Sequence, residues 1–218
     1  MKDIVILGGG SSICEGISLN IWDKLQKSNV EVWSLNYAFL TLPFKPAKQL
    51  WIDTRFFKEN IEKLQELYLK GVSCCAKEHT LYRNIKEIKT YVTTREPKEF
   101  NNKVFIGRKG LCGFFALYLA SMIEKADNIF LLGYDHGTIN NSNKTHYYQD
   151  ILKTQSTGVG QTKLYKDANG KVEKEVDDYE LFIRPEITSK IWNVSLQSNI
   201  KAFDKISYEQ FFSKLENK

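Results

Sequence analysis

The chain has 218 residues and a mass of 25.3 kDa, with 42% apolar and 26% charged residues, which suits one α/β domain with a sizeable core. No apolar run approaches the roughly 20 residues of a membrane span, and Met1-Lys2-Asp3 leads straight into an apolar run, so no secretory leader is expected and the expected compartment is the cytoplasm. A net charge of +5 and a pI near 8.8, with scattered lysines and aromatics in core-like runs, fall short of a nucleic-acid-binding footprint.

Ile4-Val5-Ile6-Leu7 is the continuous apolar run of a buried parallel strand. It runs into Gly8-Gly9-Gly10-Ser11-Ser12, and an amphipathic helix is expected from about Cys14 to Lys27. A glycine-rich turn between strand and helix leaves backbone N–H groups at a helix N-terminus, where a phosphate or carboxylate can be received. Gly8, Gly10, Ser11 and Ser12 are therefore candidate ligand-binding residues, although an ordinary tight turn with a serine cap would look the same. The dinucleotide fingerprint is incomplete, because Ile13 stands where its third glycine belongs and the second strand, Val30 to Leu35, closes on Asn36 rather than on an acidic residue. This argues against NAD. Asn36 still suits a sugar hydroxyl or base edge, since its amide donates and accepts.

Pro43 and Pro46 break the connection that follows. A third strand, Gln49 to Ile52, ends on Asp53, and a helix is expected from Arg55 to Lys70. Strands are expected at Val72 to Ala76, Lys89 to Thr93 and Val104 to Ile106, the last leading to Gly107-Arg108-Lys109-Gly110. A helix over Leu111 to Glu124 and a strand over Asn128 to Leu132 follow, and the strand stops at Gly133-Tyr134-Asp135-His136. Residues 138–178 are expected to form a polar lid loop with a small hairpin insertion turning at Asn169-Gly170. A helix near Pro185, a strand at Lys201 to Asp204 and a helix capped by Ser207 complete the chain. The expectation is a single domain over 1–218, with a doubly wound, mostly parallel Rossmann-like sheet. The cysteines at 14, 74, 75 and 112 lack metal-ligand spacing and are expected reduced and buried, with Cys74 and Cys75 on opposite faces of a strand.

The carboxyl ends of parallel strands face the ligand crevice, so the glycine turn, Asn36, Asp53, Gly110 and Asp135 are expected on one rim. Arg108 matches phosphate oxygens with its planar fork, or else belongs to a solvated turn. His136 and His146 have the near-neutral titration of a general base; His146 is preferred because Tyr147 and Tyr148 follow it, with hydroxyls suited to a leaving phosphate or a sugar. Asp135, His136, His146 and Asp150 match no familiar metal pattern, so no metal site is assigned. Serine-hydrolase elbows and P-loops are absent from the sequence.

The N-terminal strand with Gly-Gly-Gly-Ser-Ser, then Ser34-Leu35-Asn36, Trp51-Ile52-Asp53, Gly110-Leu111-Cys112-Gly113-Phe114-Phe115-Ala116 and Ile129-Phe130-Leu131-Leu132-Gly133-Tyr134-Asp135 together resemble bacterial family-42 sialyltransferases. They also resemble archaeal pterin pyrophosphokinases of the MptE type. The likeness covers roughly residues 1–150 on short motifs. The first resemblance implies a metal-independent glycosyltransferase with a cytidine-nucleotide sugar as donor, no separate cofactor, and a hydroxyl acceptor. In it Gly8, Gly10 and Ser11 would match the phosphate-side turn, Asn36 the nucleotide-contacting asparagine, Gly110 to Gly113 the small-residue turn, and Tyr147 or Tyr148 the tyrosines holding the phosphate. Ser11 stands where that family has proline, and no histidine follows His146, so His146 would act from a different place than the family's catalytic histidine. The second resemblance implies ATP, magnesium and a pterin, with Asp53 and Asp135 as candidate metal carboxylates. A third reading is a nucleotide-binding module without catalysis.

Overall fold

The computed structural model describes residues 1–96, 103–107, 110–136, 146–152 and 174–216. Eight parallel strands form one sheet in the order β10-β9-β8-β1-β2-β3-β4-β5. They are β1 (Asp3–Leu7), β2 (Glu31–Leu35), β3 (Lys48–Trp51), β4 (Ser73–Lys77), β5 (Ile88–Tyr91), β8 (Asn128–Leu132), β9 (Lys190–Asn193) and β10 (Asp204–Lys205). Two short strands, β6 (Thr93–Thr94) and β7 (Val104–Phe105), pair in a second small sheet. This is the α/β, Rossmann-like architecture expected from the strand and helix pattern. Every residue of β1 is buried, as a central parallel strand covered on both faces requires.

The order runs outward from β1 in two directions, so the topological switch lies between β1 and β8, whose register pairs Leu7 with Leu132. One face of the sheet, carrying Ile4, Ile6, Trp33, Leu35 and Leu50, is covered by α5 (Cys112–Tyr118) and by Tyr179, Phe182 and Phe203. The other face carries Val5, Leu7, Val32, Phe130 and Leu132 under α1 (Ile13–Ser18), α2 (Ile21–Lys27) and the C-terminal helix. On that face Trp51, Cys74 and Ala76 lie under α3 (Thr54–Glu59) and α4 (Ile61–Leu69). Cys74 and Cys75 do point to opposite faces. None of the four cysteines is in a disulfide, and Cys14 is exposed where burial was expected.

Several boundaries differ from the sequence reading, each for a physical reason. The helix expected over Cys14 to Lys27 is two, because Asn20 takes a left-handed conformation, φ 58°, between α1 and α2. The run Lys89 to Thr93 splits at Val92, so that β6 leaves the main sheet to pair with β7, and β7 is therefore no neighbour of β8. Beyond Tyr118 the helix widens into a π-turn over Leu119–Ile123, closed by Glu124 N–H on the Leu119 carbonyl at 2.8 Å. No helix begins near Pro185; the chain turns there and forms β9 alongside β8, while of the strand expected at Lys201 to Asp204 only Asp204 pairs, together with Lys205 beyond it. Ser207 does cap the last described helix, α7 (Tyr208–Glu216) once α6 (Tyr148–Leu152) is counted. Its hydroxyl accepts from Gln210 N–H at 3.3 Å, and the Gln210 side chain accepts from Ser207 N–H at 2.9 Å, a capping box. The expected hairpin around Asn169-Gly170 and most of the 138–178 insertion lie outside the described residues, as do Arg108 and Lys109.

At the edge where the strands begin, Glu124 joins Lys2 (2.6 Å) and Lys48, with Glu31 3.5 Å from Lys2. Lys48 also stands over the Trp33 ring at 4.6 Å. The starts of β1, β2 and β3 are thus tied to the end of the α5 segment. Among the described residues no helix is long and apolar enough to cross a membrane.

Candidate functional site at the glycine turn

The glycines after β1 are there because neighbouring groups come too close for a side chain. A Cβ on Gly8 would lie 2.8 Å from the Gly133 carbonyl oxygen, and one on Gly10 would lie 2.4 Å from Asp135 Oδ2. On Gly9 it would lie 2.3 Å from Cδ2 of His146. Gly8 and Gly10 donate their N–H groups to the carbonyls of Leu132 (2.7 Å) and Gly133 (2.9 Å), locking the turn to the end of β8 at the switch point.

The helix N-terminus beyond the turn is already occupied. Ser12 N–H donates to Asp135 Oδ2 at 2.8 Å, so a carboxylate of the protein itself takes one slot the sequence reserves for a ligand anion. Asp135 is 2% exposed; burial raises its pKa, and hydrogen bonds from Ser12 and Ser195 oppose that shift. The N–H groups of Gly9 and Ser11 have no hydrogen-bond acceptor among the described residues, and the Ser11 hydroxyl is buried without a partner there.

Asn36 stands on the other side of β1. The register sets Leu7 beside Ser34, so Asn36 follows β2 at the level of the glycine turn. Its φ of 48° is left-handed, a conformation that asparagine adopts more readily than most residues and that concentrates at functional sites. Gln49, fully buried on β3, donates from Nε2 to the Asn36 carbonyl at 2.9 Å and accepts from the Ser34 hydroxyl. This buried polar ladder holds the strained backbone. The Asn36 Oδ1 is buried without a partner among the described residues.

His146 reaches the same turn from the far side of the insertion. Tyr147 N–H donates to the Gly9 carbonyl at 2.9 Å, which pins the segment over the glycines. His146 stacks on Tyr148 with ring centres 5.0 Å apart. Burial pushes the His146 pKa down to about 4, below the near-neutral titration expected from the sequence, so the imidazole is neutral at pH 7 and a weaker base than an ordinary histidine. The two tyrosines differ. Tyr147 is buried, its hydroxyl paired with Thr41 Oγ1 at 2.5 Å. The Tyr148 hydroxyl lies 3.1 Å from the point a Gly9 Cβ would occupy.

His136 also has left-handed φ (48°), with Nε2 2.7 Å from the Tyr179 hydroxyl and its carbonyl accepting from Asn199 Nδ2 at 2.8 Å. Its pKa too falls to about 4 through burial. Phe114 stacks on Tyr179 at 4.1 Å, so His136 rests on an aromatic column from α5. Asp53 is exposed and caps α3, accepting from Arg55 N–H at 2.8 Å. Gly110 has φ 75°, and its missing side chain leaves room for the exposed Arg95 guanidinium, 3.1 Å from the would-be Cβ.

Comparison with protein-family models, with curated proteins and with solved structures gives no match. Geometry therefore carries the assignment. It gathers Gly8, Gly10, Ser11, Ser12, Asp135, His146 and Tyr148 around one turn, with Asn36 on the strand beside it. Asp53 is a helix cap, and among the described residues no group of three or more His, Cys, Asp or Glu is arranged to hold a metal ion. The sequence reading missed Gln49, Arg95, Thr41 and Tyr179. Gln49 left the clearest signal, a polar residue inside an apolar strand; the other three show only in three dimensions.

Proposed function

We propose that this protein is a nucleotide-sugar-dependent glycosyltransferase, sialyltransferase-like and metal-independent, working at the carboxyl edge of β1 and β8. The observation that carries the reading is the placement of the neutral His146 imidazole against Gly9, at the topological switch point. In the proposed mechanism the N–H groups of Gly9 and Ser11, with Arg108, receive the donor phosphate. Asn36 contacts the nucleoside, and Tyr148 supports the departing phosphate. His146 takes the proton from the acceptor hydroxyl as that oxygen bonds to the anomeric carbon. The bond from the anomeric carbon to the phosphate oxygen breaks, and the nucleoside monophosphate leaves with the electron pair.

The ATP and magnesium alternative has less support, because the Asp53 carboxylate is engaged in the α3 cap and that of Asp135 with Ser12 N–H. A binding module without catalysis is favoured by one observation: Asp135 and His146 both sit where ligand groups would approach the turn. A thermal-shift series with CMP, UDP, GDP, ATP and CMP-sugars, with and without magnesium, tests these readings, since a ligand that binds only the native state raises apparent stability. Stabilisation by CMP or a CMP-sugar without metal, with hydrolysis or transfer of the sugar, is the expected result. Binding without turnover, unchanged by His146→Ala, identifies the non-catalytic module. A response to ATP that requires magnesium refutes the transferase.

A further inference from the structure

A cavity lies at the opposite edge of the sheet from the glycine turn. It measures about 510 Å³, within the range of small-molecule sites, and sits where β9 and β10 begin. Lys190, at its wall, pairs in register with Asn128, which pairs with Asp3 at the start of β1, so the cavity and the glycine turn belong to opposite ends of the strands. Phe182, Ile187, Ile191, Ala202 and Phe203 form an apolar floor continuous with the core under α5. Three features give this floor a polar address. Arg184, half-buried, is held by a turn in which Ile187 N–H donates to its carbonyl at 3.0 Å. Ser189 has a buried hydroxyl with no partner among the described residues, an arrangement that costs free energy unless something supplies the missing hydrogen bond. Asp204, exposed, lies on the same rim.

We propose that this cavity binds a small monocarboxylate with an aryl or short alkyl body. The apolar part would rest on Phe182, Ile191 and Phe203. The carboxylate would meet the planar fork of Arg184, whose several donors can serve a ligand alongside any partner already present, and would accept from the Ser189 hydroxyl. Asp204 offsets one of the two cations at the wall, Arg184 and Lys190, so the lining matches the single charge of a carboxylate better than the two of a phosphate monoester. Nothing in this inference depends on the glycosyltransferase reading.

The test is titration of the full chain with 3-phenylpropionate, phenyl phosphate and phenethylamine, followed by calorimetry and by amide shifts of residues 182–191 and 202–204. Saturable binding of the carboxylate alone is expected. It should weaken about tenfold or more in Arg184→Gln, as loss of a charge-assisted hydrogen bond implies, by less in Arg184→Lys, and should disappear in Ala202→Trp, which fills the cavity. Circular dichroism checks that each variant is folded, and Arg184→Lys decides the matter if Arg184→Gln is not. Saturating CMP should leave the carboxylate affinity unchanged. Absence of saturable binding, equal affinity in Arg184→Gln and the parent, or preference for phenethylamine or phenyl phosphate would each overturn the proposal.

Discussion

His146 is where the proposed chemistry is most exposed to test. Replacing it by alanine should lower sugar transfer by about 10²- to 10⁴-fold, the usual contribution of a positioned general base. Calorimetry on the same variant should still find the nucleotide bound; an unchanged transfer rate would remove His146 from the mechanism. Gly10 is a second test at this scale. A Cβ there meets not only the Asp135 carboxylate but also the Gly133 carbonyl oxygen at 2.7 Å, and backbone cannot move aside cheaply. Gly10→Ala should therefore cost about 1–3 kcal/mol, read from the urea midpoint. Gln49→Leu takes the donor away from the Asn36 carbonyl and leaves the Ser34 hydroxyl only the more distant Lys48 carbonyl at 3.4 Å. A loss of about 1–3 kcal/mol is expected, together with weaker nucleotide binding as Asn36 leaves its left-handed conformation. If stability falls but affinity does not, Asn36 is no part of the site.

Among the elements, the end of the α5 segment is held by charge as well as by the apolar packing of Leu119 and Ala120. Burial by itself raises the Glu124 pKa, but hydrogen bonds from Lys2 and Lys48 outweigh it and bring the value down to about 2. The associated stability is present above the unfolded value near 4.5 and is lost as pH falls toward 2. Glu124→Gln should cost about 1 kcal/mol at pH 7 in low salt and less in 1 M salt, since these side chains remain partly exposed. Melting temperatures across that salt range check it. The elements easiest to read from sequence were those whose local pattern and tertiary role agree: β1 and β8 as unbroken apolar runs, and α7 from its Ser207 cap. Those misread depend on partners far along the chain. Asn20 breaks α1 from α2 by adopting positive φ, which composition does not reveal, and β9 is a strand because β8 offers it an edge. Thr93-Thr94 leaves the main sheet because Val104-Phe105 is there to receive it.

For the whole molecule, two half-buried histidines at the same sheet edge set an acid limit. His136 and His146 both have folded pKa values near 4 against an ordinary 6.5. Between those values the unfolded chain binds protons that the folded chain refuses, so stability is full above pH 6.5 and declines as pH falls toward 4, by up to about 1.4 kcal/mol per histidine per pH unit. Urea midpoints should drop from pH 7 to pH 5, and the drop should shrink in His146→Gln. The site as a whole was legible in outline. The glycine turn, Asn36, Asp135 and His146 stand out in the sequence as residue types suited to ligands, and the parallel topology brings them to one rim. That Asp135 would itself occupy the Ser12 amide, that the Tyr147 hydroxyl would pair with Thr41, and that Asp53 would cap α3 were not readable, because each depends on a neighbour chosen by the fold. The central claim is that this rim receives a nucleotide, and the most direct measurement is a CMP titration of ¹⁵N-labelled protein followed by amide and imidazole shifts. The account predicts saturable shifts at Gly9, Ser11, Asn36 and the His146 ring. Shifts confined to other parts of the molecule, or none with any nucleotide, would contradict it.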